Sequence, residues 1–392
     1  MKHAALLIPG IERIGGAERQ LLLLAHGLRH RGWRVTIVAL TGTAGAVARD
    51  LERAGIEFLT LRMRKGVADP RGWIRLVLWL HRQNPDVVHA HLPHATWMAR
   101  WMRLLRPGQA TVDTLHSSST GKRTRHIGYR ISNWLAGRVT AVSEAVAASH
   151  LAAGLVDANK LVVVPNGVDT EVFCPDRSLR ESVRSALGLG EEFLWVAAGR
   201  LEPVKDFSSL LRAFAMLPGN VHLAIAGDGQ QRDALHALSA ELGLTERVHF
   251  LGAVAEVERV MQAADAAVLS SLWEGLPMAL LEAGACSLPA VATDVPGSRE
   301  TIVEGETGWL APAEDSAALA AAMRRLMQIA PGARCRMGAM ARARISRLYG
   351  LDAVLDRWER LYEECGRCGR IPHLLSPPSD CRRSEERTSK VY

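Results

Sequence analysis

Residues 270–282 read SSLWEGLPMALLE, and the fold is read outward from this stretch. A short apolar run, Ala266–Leu269, precedes it and has the length and composition of a buried strand. Glu274 then stands ahead of Gly275 and Pro277, which places it in a loop at a helix N-terminus with proline near the first turn. Strand, loop and helix in that order make half of a βαβ unit. Glu282 lies eight residues beyond Glu274, about 80° from register on a helix that turns 100° per residue. Both carboxylates can therefore line one side of a cleft and accept hydrogen bonds from sugar or ribose hydroxyls. A plainer reading makes Glu274 an ordinary N-terminal helix charge and Glu282 a structural residue. Burial of Glu282 among Leu280, Leu281 and Ala283 without a partner is costly, which favours a functional role.

The same strand-to-helix unit recurs along the chain. Strands are expected at His3–Pro9, Arg34–Leu40, Glu57–Leu61, Val87–His91, Ala110–Leu115, Val139–Ala141 and Leu161–Val164. A second series follows at Phe193–Ala198, His222–Ala226, Val248–Leu251, Ala266–Leu269 and Ala290–Ala292. Helical stretches such as Ala17–Arg31 and Trp73–Asn84 lie between them. Near-continuous apolar strands alternating with helices imply parallel sheets covered on both faces. Two series imply an α/β chain of two Rossmann-like, doubly wound domains. The first spans 1–170 and the second 171–350. A helix over 351–365 carries Leu355, Trp358 and Leu361 at helical spacing and packs back toward the first domain. Residues 366–392 turn to Pro, Ser, Arg and Glu, and read as a disordered tail.

Open α/β sheets bind ligands at the carboxyl ends of their strands, so the strand-to-helix turns hold the candidate site. After the first strand, Gly15 and Gly16 open a helix whose free N–H groups suit an anion. A tight turn alone would also explain this glycine pair. After Phe193–Ala198 come Gly199, Arg200 and, five residues on, Lys205. A guanidinium fork and an ammonium point charge there could jointly neutralise a diphosphate; the alternative is a pair of solvated surface cations. Gly227, Asp228 and Gly229 close the next strand in a turn that could also shape a nucleotide pocket.

Taken together, these segments resemble the retaining family 4 glycosyltransferases, which have the GT-B fold of two Rossmann-like domains facing across a donor cleft. The resemblance covers roughly residues 3–362. It rests on IGGAE at 14–18, VHAHL at 88–92, TLHSSS at 114–119, TAVSEAV at 140–146 and VVPNGVD at 163–169. It continues through GRLEPVKD at 199–206, IAGDG at 225–229, FLGAV at 250–254 and SLWEGLPMALLEA at 271–283, the last being the family's E-x7-E element. The resemblance implies a residue-by-residue site. Gly15 and Gly16 face donor phosphates or acceptor, and His116 touches the transferred sugar. Arg200 and Lys205 hold the diphosphate, with Gly227 in the nucleotide pocket. Glu274 binds sugar hydroxyls, and the backbone of Gly275 and Leu276 faces sugar or phosphate. Glu282 holds the ribose, and Val254 flanks the base. It further implies catalysis without metal or cofactor, the nucleotide sugar being a substrate, and front-face attack assisted by the leaving phosphate. His116 also has a structural reading, since the chain carries fourteen histidines.

Charge is divided unevenly. Residues 1–170 hold 23 Lys/Arg against 11 Asp/Glu, residues 171–365 hold 19 against 27, and the chain nets +7. A basic half suits nucleic acid or an anionic membrane surface. Trp73–Arg82, Trp97–Arg106 and Lys122–Arg138 mix Trp, Leu and Arg at helical spacing. Helices packed on a sheet with charged outer faces would read the same way. The combination favours peripheral contact with the anionic inner face of the cytoplasmic membrane and a lipid-linked or saccharide acceptor. No nucleic-acid module is recognisable. No apolar run reaches the ~20 residues of a membrane span, and the N-terminus does not read as a signal peptide, so a cytoplasmic enzyme is expected. Cys365 and Cys368 form a CxxC followed by His373 and Cys381, too sparse a set for a zinc site. His89, His91 and His94 lack an acidic partner, so no metal is expected there either.

The expected function is transfer of a hexose-type sugar, guessed to come from a UDP-sugar, in surface polysaccharide or lipopolysaccharide synthesis. A soluble acceptor and a non-catalytic nucleotide-sugar-binding protein are the alternatives.

Overall fold

The computed structural model describes residues 1–12, 14–64, 69–118 and 123–368. Lys122, His373, Cys381 and most of the 366–392 tail lie outside the described residues, as does the side chain of Cys368.

Seven strands make the first sheet: β1 (His3–Ile8), β2 (Arg34–Ala39), β3 (Glu57–Thr60), β4 (Val87–His91), β5 (Thr111–Leu115), β6 (Arg138–Ala141) and β7 (Leu161–Val163). Their order is β3-β2-β1-β4-β5-β6-β7, and every pairing is parallel. Six strands make the second: β8 (Phe193–Ala198), β9 (Val221–Ala226), β10 (Val248–Gly252), β11 (Ala266–Leu269), β12 (Ala290–Thr293) and β13 (Gly308–Ala311). Their order, β10-β9-β8-β11-β12-β13, is also wholly parallel. The expected strands are present within a residue or two of their ends. β13 was not anticipated, because its four residues open with a glycine and sit between turn residues. That glycine is needed: a Cβ at Gly308 would lie 1.9 Å from the Ala290 carbonyl oxygen.

Both faces of each sheet are covered, which is why the strands are apolar on every residue rather than on alternate ones. In β1, Leu6 and Ile8 join Leu21, Leu28 and Trp358 on one face, while Ala5 and Leu7 join Leu76, Leu80 and Met98 on the other. The second domain repeats this with Trp195 on one side of β8 and Leu194 and Val196 on the other.

The chain crosses between domains twice, at adjacent points. Val168 on the way out and Gly350 on the way back form an isolated parallel bridge. The Val168 N–H donates to the Tyr349 carbonyl and the Leu351 N–H donates to the Val168 carbonyl, both at 2.9 Å. The helix that follows, Leu351–Cys368, runs a few residues past its expected end. Its Leu355 fills the notch at Gly27, and Trp33 Nε1 donates to Glu359 at 2.7 Å. Arg31 meets Asp352, Asp356 and Glu359 of the same helix. A further tie crosses the domains elsewhere, where the Glu300 carboxylate accepts from the N–H groups of Glu144 and Ala145 at the start of the helix Glu144–Ala152.

One sequence expectation needs correction. Arg100, within the stretch Trp97–Arg106 read above as a basic helix suited to a membrane surface, is fully buried and donates to Asp113 at 2.6 Å. It also donates to the Tyr129 carbonyl and Ser132 Oγ, tying the helices Pro93–Met102 and Arg123–Ser132 to β5. Arg103 and Arg106 are likewise spent on backbone carbonyls, of Leu135 and Leu80. Helical spacing alone does not reveal that a carboxylate waits under the arginine.

Candidate active site

The strand order in each sheet reverses beside its first strand, between β1 and β4 and between β8 and β11. The carboxyl ends at these switch points face a shared cleft of about 500 Å³ between the domains. Gly15, Gly16, His116, Arg200, Lys205, Gly227, Val254, Glu274, Gly275, Leu276 and Glu282 all line it. Every site residue expected from sequence is therefore brought to one place, although the residues come from six different strand-to-helix units.

The wall formed by the second domain holds a compact polar network. Lys205 Nζ donates to Glu274 Oε1 at 2.5 Å, and Ser271 Oγ donates to the same oxygen at 2.6 Å. Ser270 Oγ donates to the Lys205 carbonyl at 2.8 Å, which fixes the loop after β11 against the loop after β8. Lys205 and Glu274 thus form one unit, with both side chains largely buried. Arg200 stands apart: its side chain is 65% exposed and its guanidinium meets Glu202 at 2.6 Å. An arginine this free can swing toward an arriving anion without breaking a buried bond.

Gly275 marks a point of close approach between the two domains. A Cβ there would lie 2.7 Å from the His116 carbonyl oxygen, so only glycine lets the loop after β11 approach the loop after β5. Gly16 is the opposite case, because a Cβ there would meet nothing within 4 Å and would project into open space.

Glu282 sits on the helix Met278–Ala285 and is 3% exposed. Burial raises its carboxyl to about 7, and the charge of Arg19 pulls the other way. Arg19 Nη1 donates to Glu282 Oε1 at 3.0 Å from the opposite wall. Arg19 was missed in the sequence, though it directly follows IGGAE on the helix Gly16–His30 and faces the cleft one turn in. Asn166, within the VVPNGVD stretch, also lines the cleft and was not singled out.

The histidines form a chain leading into the site. His89 bonds Tyr362 and Thr114, each at 2.6 Å, and His91 Nδ1 lies 3.0 Å from His116 Nε2. Burial holds His89 and His91 well below the ordinary imidazole value and brings His116 down to about 4. All three are neutral near pH 7. His116 therefore offers the cleft a polar but uncharged edge. His94 is exposed and belongs to a different environment, next to Trp97. Among the described residues no group of three or more metal-ligating side chains gathers.

Comparison with known proteins agrees with this geometry. Residues 14–172 match the description Glycosyltransferase Family 4, and residues 180–344 match Glycosyl transferases group 1. The phosphatidyl-myo-inositol mannosyltransferase of Mycobacterium leprae is 31% identical over 332 residues, 80% of this chain and 84% of that protein. The chain is a family 4 glycosyltransferase. The Escherichia coli UDP-Gal:alpha-D-GlcNAc-diphosphoundecaprenol alpha-1,3-galactosyltransferase is 27% identical to this transferase over 267 residues, 64% of this chain and 68% of that one. The structure of Anabaena HepE in complex with UDP-glucose superposes with a TM-score of 0.81 over 93% of the transferase and 100% of HepE. At 24% identity it is a likeness of fold. The two Rossmann-like domains and the GT-B arrangement inferred from sequence are thus those of the protein.

Proposed function

We propose that this glycosyltransferase moves a hexose-type sugar from a UDP-sugar to a lipid-linked saccharide with retention of configuration, in surface polysaccharide or lipopolysaccharide synthesis. The observation that carries the reading is the single cleft in which Lys205–Glu274 and Glu282 converge on one wall and neutral His116 on the other. Lys205 and Arg200 hold the donor diphosphate, whose charge grows as the bond to the sugar breaks, so fixed cations stabilise the transition state. Glu274 takes sugar hydroxyls and Glu282 takes the ribose. These side chains and the helix N-termini at the cleft carry the charge without a metal ion, and turnover in excess chelator is the corresponding expectation.

Carboxylates line the cleft only at Asp228, Glu274 and Glu282 among the described residues, all on the second domain. This supports front-face transfer. The acceptor oxygen bonds to the anomeric carbon as the carbon–oxygen bond to the diphosphate breaks, and the acceptor proton passes to the departing phosphate oxygen. The UDP donor draws on the E. coli relative, whose name specifies UDP-Gal.

A lipid-linked acceptor is supported by the outer face of the first domain. Ile74 and Leu78 on the helix Pro70–Gln83, Leu104 and Leu105 beyond the next helix, and Ile127, Ile131 and Trp134 are all exposed large apolar residues. Arg71, Arg82, Arg123 and Arg130 are interspersed with them, the pattern of a surface that lies on anionic lipid. No described helix is long and apolar enough to cross a membrane. Nucleotide sugars screened by thermal shift, followed by mass spectrometry of the product, test the donor. Co-sedimentation with phosphatidylglycerol vesicles at low and high salt tests the surface, and absence of binding at low salt refutes it.

A further inference from the structure

The proton on His116 can be placed by following hydrogen bonds through the first domain. His89 and His91 stand two residues apart at the end of β4, on the face where His89 meets Trp358 and Tyr362 of the helix Leu351–Cys368. Thr140 Oγ1 donates to the Asp113 carbonyl at 3.2 Å, and a hydroxyl has one proton, so in its 2.7 Å contact with Thr114 it accepts. Thr114 has then spent its own proton, so His89 Nε2 donates to it. A neutral imidazole carries one N–H, which leaves His89 Nδ1 to accept from the Tyr362 hydroxyl. Burial raises that hydroxyl well above the ordinary tyrosine value, so it keeps the proton it donates. Both nitrogens of His89 are thus committed, and neither is left for His91, whose ring lies against it with centroids 4.1 Å apart.

His91 has two nitrogens and one partner. Nδ1 lies 3.0 Å from His116 Nε2, while Nε2 is buried and bonds nothing among the described residues. Burial holds the ring neutral, so its single proton sits on one nitrogen. On Nε2 it would be a buried N–H without an acceptor, the costlier orphan. On Nδ1 it makes the bond to His116 and leaves only a lone pair unmet. Nδ1–H is therefore the donor. His116 Nε2 accepts, and the one proton of that neutral ring is on Nδ1. His116 Nδ1 has no partner among the described residues and is reached from solvent, on a half-buried ring that lines the cleft. The His116 carbonyl is the group that Gly275 lets approach, so this N–H stands near Glu274. The chain leaves His91 through Leu92 at φ +68°, a conformation that a residue other than glycine keeps only where its surroundings hold it, often beside functional groups.

We propose that His91 is a positioning residue that locks His116 as the Nδ1–H tautomer, so that the sugar of the donor meets a hydrogen-bond donor in the cleft and not an acceptor. The proposal rests on the transferase reading above. An N–H at this place takes a sugar hydroxyl oxygen as its acceptor. With the proton on Nε2, the same ring would turn a lone pair toward that oxygen. Tyr362, His89, Thr114 and Thr140 act one step further back. They fill the hydrogen bonds of His89, so the ring stacked on His91 offers it no acceptor and leaves its proton one place to go. The orientation of a group in the cleft is in this way tied to the helix Leu351–Cys368, which carries Tyr362.

Nitrogen NMR of the full-length protein, isotope-labelled at histidine, tests this by reporting which nitrogen of each ring carries the proton. Comparison with His116→Gln assigns the His116 signals. His116 is expected as the Nδ1–H tautomer in the wild type. His91→Asn, whose amide N–H falls near the position of the imidazole Nδ1–H, should keep that tautomer. His91→Phe keeps a ring and removes the donor, and should give a mixture or the Nε2–H form. Calorimetry with UDP and UDP-glucose as probes reads the consequence. His91→Phe should weaken UDP-glucose about tenfold, the size of one hydrogen bond, and leave UDP, which has no sugar, unchanged. His91→Asn should restore most of the UDP-glucose affinity. An Nε2–H tautomer in the wild type overturns the proposal. So does an unchanged tautomer in His91→Phe, or a loss of affinity shared equally by both probes, which is the mark of a merely structural residue. Failure of the wild type to bind UDP instead counts against the transferase reading, and the tautomer spectra then decide the role of His91 alone.

Discussion

The second domain's wall of the cleft holds its charges against one another, Lys205 on Glu274 and Arg200 on Glu202. The first domain's wall brings no carboxylate to the cleft among its lining residues. It offers the backbone of Gly15 and Gly16, the neutral His116, and one cation, Arg19, which reaches across to Glu282. The difference separates two tasks. One wall is assembled before any ligand arrives and, in the function proposed above, would hold the diphosphate. The other completes a site it does not own, and its contribution depends on how the domains meet.

The most severe way to break the comparison is Glu274→Ala. It removes the partner of both Lys205 and Ser271, and transfer should fall on the order of a thousandfold with the thermal midpoint little changed. Turnover near that of wild type would refute the assignment. Arg100→Met should act on stability instead. It leaves Asp113 buried without its cation, and breaking such a pair costs about 3–5 kcal/mol, readable by urea denaturation. Burial already pushes the Asp113 carboxyl upward against the pull of Arg100, so loss of the guanidinium drives it toward the neutral form.

Arg19→Met sharpens the contrast. It should weaken donor binding about tenfold at pH 7, because the Glu282 carboxyl rises further once its cation is gone. Raising the pH to 8.5 should restore much of the loss, whereas a purely structural defect would not respond. The smallest effect belongs to the wild type. Glu282 is ionised only above about 7, so donor affinity should drop roughly tenfold from pH 8 to pH 6. The linked stability runs the opposite way. A carboxyl raised by folding contributes fully below the ordinary glutamate value and loses that contribution as pH rises through about 7. A titration of UDP affinity that is flat from pH 6 to 8 would remove Glu282 from the ribose.

Much of this was legible in the sequence, and the reasons are local. An apolar run ended by Gly199 or Gly227 announces a strand and its turn, and a pair of glutamates beside Gly275 and Pro277 announces a loop entering a helix. What was hidden depended on distance. Arg19 and Glu282 are 263 residues apart, and no periodicity within the helix Gly16–His30 shows that its third turn-forming side chain will face another domain. The burial of Arg100 was hidden for the same reason, since its partner, Asp113, lies on the strand β5. β13 escaped because a four-residue strand opening on glycine has too few side chains to set a pattern.

The return of the chain at Gly350 has a consequence for how the protein is made. The core of the first domain includes Val354, Leu355, Trp358, Leu361 and Tyr362, which are among the last described residues. During synthesis from the N-terminus, Leu24 and Leu28 therefore wait uncovered while the whole second domain emerges. The first domain is begun first and finished last, and a chain stopped at 350 would carry every residue of the cleft on an unfinished foundation.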